Sequence, residues 1–465
     1  MSTPQATHAA GPAFDAEMSA LVGERFTRAR GIREHHGRDE SHFPPLVPDA
    51  VAFPRSTEDV RGIVEICRRH RVPMIPYGAG TSVEGHVLPV RGGVTIDLSQ
   101  MNRILAVHAE DLDATVEAGV TRKQLNEHLR DSGLFFAIDP GAEATLGGMA
   151  ATRASGTNAV RYGTMRDNVL AVTAVMADGR VVRTARRARK SSAGYDLTRL
   201  FVGSEGTLAI ITELTVRLHP VQEAISAATC SFPTTKAAVD SVIEIIQTGI
   251  PVARCEFLDT LSIAAINRHF KTAYPERMTL FLEFHGSAAG VAEQAGRVQE
   301  IAREHGGGDF QWATKAEERS KLWHARHNLY FAGLQLKPGA RYVSTDVCVP
   351  ISRLSDCLVE TERDVRAAGL PIIVVGHVGD GNFHLGILFD PDKPAELEEA
   401  SAINERLVAR ALAMDGTCTG EHGIGYGKMA HLVDEHGEAT VSVMRDIKRA
   451  LDPDNLLNPG KVVAV

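Results

Sequence analysis

Residues 74–86, MIPYGAGTSVEGH, run from a short apolar strand into a glycine-rich turn, and the reading of that turn decides the fold. A Rossmann unit needs a strand, then a GxGxxG spacing, then a helix whose N-terminus meets the pyrophosphate. Here Val83 stands where the third glycine belongs, and the run that follows, GGVTIDL (92–98), reads as a strand. An ordinary NAD site at this point is disfavoured. Two further small-residue stretches lie downstream, in DPGAEATLGGMAATRASGTNAVRYG (139–163) and in LFVGSEGTLAIIT (200–212). Small residues let backbone approach a ligand closely and present N–H groups to anions. Three such loops joined to strands, around 78–86, 140–158 and 203–211, point to a long phosphate-bearing ligand laid against the backbone.

Working outward, Ser56–Thr57–Glu58–Asp59 is a capping-box start for a helix carrying Val60, Ile63, Val64 and Cys67 on one face. Thr121 with Gln124 starts a second helix, and VLAVTAVMADGRVV (169–182) reads as strand. The texture changes near residue 224. AISAATCSF, KAAVDSVIEIIQTG, MTLFLEF, AEERSKLWHARHNLYFAGLQLK and YVSTDVCVP alternate strand with helix, which indicates a second, α+β domain.

The chain has 465 residues, a size for about three domains or fewer, and a formal charge of −8. That charge argues against nucleic acid as a partner. The basic run RTARRARK (183–190) is read as solvated surface. Cysteines at 67, 230, 255, 348, 357 and 418 form no CxxC, which leaves no sequence support for a zinc ribbon or an iron–sulfur cluster. No apolar run approaches the ~18 residues of a membrane span, so no transmembrane segment is expected. The start, MSTPQATHAAGPAFDAE, lacks the features of a secretory signal. Scattered thiols and these absences make the cytoplasm the expected location, with peripheral membrane contact through 183–190 as a minor option.

The second chemistry-bearing stretch is PIIVVGHVGDGNFHLGILF (371–389). If Asp380–Gly381 is a two-residue type I′ turn, His377 faces His384 with Cβ atoms ~5 Å apart, close enough to clamp one divalent cation. Glu421 and His422, in the glycine-rich TGEHGIGYGK (419–428), are the best further ligands.

Together, PYGAGTS, GSEGTLAIIT, GHVGDGNFH, GEHGIG and the terminal NPGK resemble the FAD-linked D-lactate dehydrogenases. These are D-2-hydroxy-acid dehydrogenases within the vanillyl-alcohol oxidase and p-cresol methylhydroxylase flavoprotein family. The resemblance covers about Pro48 to Lys461. It implies an α+β fold: a two-lobed FAD-binding domain of the p-cresol methylhydroxylase type, an α+β substrate cap, and a C-terminal segment returning to the FAD domain. The implied boundaries are an N-terminal extension at 1–45, the FAD domain at 46–222, a cap with the metal site at 223–425, and the closing segment at 426–465. Tyr77, Gly78, Ala79, Gly80, Thr81 and Ser82 would take the pyrophosphate. Pro140, Gly141, Thr145, Gly148, Ser155 and Gly156 would line the ribityl chain and ring. Glu205, Gly206 and Ile211 would lie near the adenosine part, and Asn458 near the isoalloxazine. Some branches attach flavin covalently through a histidine in the first loop; GAGTS has none, which implies non-covalent FAD.

The resemblance also implies a divalent metal, zinc or manganese, on His377, His384 and Glu421, with His422 as base and Arg326 reading the substrate carboxylate. The two roles at 421 and 422 are open to exchange. The implied activity is flavin-dependent oxidation of D-lactate to pyruvate, with glycolate and D-2-hydroxyglutarate as rival substrates. No haem or iron–sulfur motif is present, so electrons would leave to a separate acceptor: cytochrome c, a quinone, an electron-transfer flavoprotein or an iron–sulfur subunit. Readings of other classes are a flavin-independent metallohydrolase, a non-catalytic flavin-binding subunit, and a non-redox ether-lipid synthase.

Overall fold

The computed structural model describes residues 11–465, so the first ten residues of the expected N-terminal extension lie outside the described residues. The chain forms two compact units. One comprises the chain up to Ser155, Gly163–Val221 and Glu421–Val465; the other comprises Gly156–Tyr162 and Gln222–Gly420.

In the first unit a four-stranded sheet runs in the order Phe26–Thr27, Ala50–Ala52, Val94–Asp97, Met74–Tyr77, the last three mutually parallel. The helix Thr57–His70 connects into it. Ser56 Oγ accepts from the Asp59 amide at 3.1 Å, a cap worth about 1 kcal/mol. Val60, Ile63, Val64 and Cys67 are fully buried on one face, as their spacing predicts. A second, antiparallel sheet has the order Ile104–His108, Asp113–Glu117, Ala209–Arg217, Val169–Met176, Val181–Arg183. The segment after the strand Met74–Tyr77 contains no helix through Gly93, which agrees with the exclusion of a Rossmann unit.

The stretch 139–163 departs from its sequence reading as a loop. It contains a helix, Leu146–Thr152, whose N-cap is Thr145, with Oγ1 accepting from the Gly148 amide at 3.2 Å. Glycine disfavours helix, but Gly147 packs against Ala118 so closely that a Cβ there would lie 2.6 Å from the Ala118 Cβ. Tertiary packing outweighs propensity.

The last 45 residues complete this unit. The Met74 amide donates to Leu456 O at 2.7 Å, and the Asn458 amide returns to Met74 O at 2.8 Å. Lys448, buried in the helix Glu438–Leu451, donates from Nζ to Thr207 O, Leu457 O and Asp452.

The second unit is built on an antiparallel sheet in the order Gly308–Ala313, Ala224–Phe232, Met278–Gly286, Val252–Leu258, Ile372–Gly376, Asn382–Phe389, Arg341–Ser344. The short strand Val347–Cys348 also pairs with Asn382–Phe389. Helices Thr235–Gln247, Thr260–Phe270 and Ala288–Glu304 alternate with its strands, as the period switches in the sequence predict. All six cysteines are free thiols.

Candidate functional site

Tyr77 ends its strand, and residues 78–82 leave it without regular structure. Among the described residues, none of the amides of 79–82 donates to a protein acceptor. A run of uncommitted N–H groups on small residues suits an anionic ligand such as a pyrophosphate. Gly80 has φ +67°, and a Cβ there would strike the Tyr77 hydroxyl at 2.2 Å. At Gly78 a Cβ would lie 2.4 Å from Thr145 Oγ1, so the first loop and the Thr145–Gly148 helix start lie against each other. Pro140 and Gly141 precede that start, and Ser155 and Gly156 follow the helix.

Glu205 (φ +54°) and Gly206 form the turn before Ala209–Arg217, in which Ile211 is buried with the core. The Glu205 carboxylate accepts from the Ile424 and Gly425 amides, each at 2.7 Å. Asn458 Nδ2 donates to Glu205 O at 2.8 Å and to His86 O at 3.0 Å. Three expected sites, around 205, 424 and 458, are therefore joined by hydrogen bonds, and Glu205 organises the GEHGIG loop. His86, four residues past the 78–82 loop, is buried with Nε2 3.3 Å from Glu205 Oε2. Burial lowers its pKa, but the Glu205 carboxylate together with the charges of Asp39 and Glu84 outweighs burial, and the net shift is upward. His422 Nδ1 lies 3.7 Å from Glu84 Oε1, which also holds Lys428 Nζ at 3.1 Å.

The histidine hairpin forms, with a different register from the expected one. His384 is opposite Val375, not His377, and the turn is a single 3₁₀ turn, Val378–Asp380, closed by Gly381 at φ +81°. A type I′ turn needs two residues at positive φ; only Gly381 adopts it, and five residues, His377–Gly381, join the strands in place of two. The imidazoles nevertheless meet, with ring centroids 5.4 Å apart. His377, His384 and Glu421 each offer one ligand atom, all within 4.8 Å of one another. Both histidines present Nδ1 to an acceptor: His377 to Glu256 Oε1 at 2.7 Å and His384 to Thr345 O at 3.1 Å. An acceptor at Nδ1 fixes the Nδ1–H tautomer and leaves the Nε2 lone pair as donor to a cation. Two imidazoles and a carboxylate fit zinc or manganese.

Arg326 is buried on the helix Ala316–His327, and both Nε and Nη2 donate to Glu256 Oε2, at 2.9 and 2.6 Å. Burial raises the Glu256 carboxyl pKa, but its interactions with His377 and Arg326 together outweigh burial and hold it below the ordinary range. Sequence reasoning missed Glu256. Its one signal is a lone carboxylate in the apolar strand VARCEFL (252–258), a placement that needs a buried partner.

Two family models match the chain: an FAD binding domain over residues 48–185 and the C-terminal domain of FAD linked oxidases over 221–462. A probable mitochondrial D-lactate dehydrogenase of Danio rerio is 54% identical over 93% of this chain and 88% of its own. A mitochondrial D-lactate dehydrogenase [cytochrome] of Arabidopsis thaliana is 46% identical over 96% and 79%. A glycolate oxidase subunit of Bacillus subtilis is 35% identical over 95% and 94%. Among solved structures, p-cresol methylhydroxylase superposes with a TM-score of 0.83 at 19% identity, covering 99% of this chain and 98% of that one. That likeness establishes the α+β fold of the p-cresol methylhydroxylase type. One expectation falls: four D-lactate dehydrogenase relatives carry "mitochondrial" in their names, which overturns the cytoplasmic location. No described helix is long and apolar enough to cross a membrane.

Proposed function

The chain belongs to the FAD-linked D-lactate dehydrogenase family, and from that premise we propose that it oxidises D-lactate to pyruvate with cytochrome c as electron acceptor. It is an FAD-dependent dehydrogenase. Bound FAD supplies a two-electron acceptor, and a bound divalent cation supplies charge that eases loss of a hydroxyl proton. FAD is held non-covalently, by the backbone of 78–82 and the loops at 140–148 and 205–206. His377, His384 and Glu421 hold the cation. Arg326 orients the substrate through its carboxylate, since a guanidinium presents a fork of donors. His422 takes the hydroxyl proton, with Glu84 beside its Nδ1 to steady the imidazolium that forms. Domain boundaries follow the roles: residues 46–222 and 426–465 bind flavin, and 223–425 carry the substrate side.

The observation that carries this reading is the 54% identity over 93% of the chain. The acceptor rests on the [cytochrome] names of three relatives. Glycolate is the second reading, because a glycolate oxidase subunit aligns over 95% of the chain. The test is the anaerobic visible spectrum of purified, metal-replete protein after adding D-lactate, L-lactate, glycolate or D-2-hydroxyglutarate. D-lactate is expected to bleach the flavin fastest. Faster bleaching by another acid overturns the substrate, and a flavin that no acid reduces overturns the reaction.

A further inference from the structure

Glu256 is fully buried, and its two oxygens serve different masters: Oε1 meets His377 Nδ1, and Oε2 takes both Nε and Nη2 of Arg326. One carboxylate on the rigid strand Val252–Leu258 thus sets the tautomer of a candidate metal ligand and the angle of the candidate carboxylate reader. We propose that Glu256 is a positioning residue that fixes the spacing between the cation site and the guanidinium, and thereby selects 2-hydroxy acids over 3-hydroxy acids. The inference rests on the roles given above to His377 and Arg326.

The chemistry is that of a ruler. In a 2-hydroxy acid the hydroxyl and the carboxylate sit on adjacent carbons, and one further carbon separates them in a 3-hydroxy acid. A site whose two recognition groups are bound to the same buried carboxylate cannot stretch to take the longer acid without breaking a charge-assisted hydrogen bond. Because Arg326 gives Glu256 its Nε–Nη2 edge, Nη1 is the nitrogen left for a ligand. An amide in place of the carboxylate breaks the device. Glutamine has one acceptor, so either Arg326 loses its partner or His377 Nδ1 meets an N–H donor and takes the Nε2–H tautomer.

Three readouts test this on the flavin-loaded protein. In metal-free wild type labelled with ¹⁵N-histidine, NMR is expected to show His377 as the Nδ1–H tautomer; an Nε2–H tautomer overturns the proposal. In E256Q, with FAD content unchanged, zinc affinity measured against a chromophoric chelator is expected to fall about 10- to 100-fold. At saturating zinc, the ratio of kcat/KM for D-lactate to that for 3-hydroxypropanoate is expected to shrink at least about tenfold, mainly through the KM for D-lactate. Wild-type zinc affinity with an unchanged ratio overturns the proposal. If E256Q does not fold, the wild-type tautomer decides. Tautomer and zinc affinity involve no substrate, so a flavin that no 2-hydroxy acid reduces sinks the proposed function while these two still judge Glu256.

Discussion

The two halves of the candidate machinery recognise their ligands by opposite means. Around 78–82, 145–148 and 205–206 the first unit offers main chain: small residues, left-handed Gly80 and Gly206, and, at 79–82, amides that donate to no acceptor among the described residues. Around Glu256, His377, His384 and Arg326 the second unit offers side chains, each carrying a charge or lone pair and each held by another side chain or a carbonyl. Backbone recognition needs room, and a single added methyl destroys it. Side-chain recognition needs a partner for every buried polar atom, and a single lost acceptor destroys it.

The sharpest way to break this contrast is to remove a side-chain ligand. His384→Ala is expected to slow flavin reduction by D-lactate about 10³-fold, the equivalent of losing several kcal/mol of charge stabilisation, while the FAD-to-protein ratio stays at wild type. Stopped-flow bleaching and an absorbance ratio check both halves. Loss of FAD together with activity would show the two modes to be inseparable. The converse is Gly78→Ala. Its Cβ would sit 2.4 Å from Thr145 Oγ1, so the loop must shift. FAD affinity, followed by flavin fluorescence, is expected to fall at least about tenfold. Zinc affinity is expected to hold.

A smaller effect probes Glu205, where the two modes meet as a carboxylate gripping two amides. Glu205→Gln keeps one acceptor, and the loss is expected to destabilise the protein by about 2 kcal/mol, read as a lower Tm in thermal unfolding. The smallest concerns Lys461, whose buried ammonium donates to Leu88 O and whose pKa burial pushes down to about 7. Lysine ordinarily titrates near 10.5, so between pH 7 and 10.5 the unfolded chain binds the extra proton, and this group makes stability rise with pH across that window. Lys461→Met is expected to flatten that rise relative to wild type, and denaturant unfolding at pH 7 and pH 9 measures it.

The same contrast explains how much was legible in the sequence. Main-chain recognition advertises itself, because clustered glycines have few other uses; GAGTS failed the Rossmann spacing at Val83, and the structure shows no helix after it. Caps are equally local, and Ser56 lies where its spacing puts it. The helix Leu146–Thr152 was hidden, because its stability comes from Ala118, a partner distant in sequence. The pairing of His377 with His384 was right for a wrong reason: a type I′ register was expected, and a longer turn brings the rings together instead. Glu256 was invisible because a charge in an apolar strand names no partner, and both of its partners lie 70 or more residues away. Side-chain networks are long-range, and one sequence does not state who meets whom.

The return of residues 421–465 to the first unit also governs the order of events as the chain leaves the ribosome. The strand Met74–Tyr77 emerges early, yet its edge waits for Leu456 and Asn458, nearly four hundred residues later. All of 222–420 is synthesised in between, as a unit with its own sheet and core. The second unit is thus free to mature while the first remains an open half-structure, and a ribosome that stalls before residue 456 leaves an unclosed flavin fold for chaperones or proteases to find.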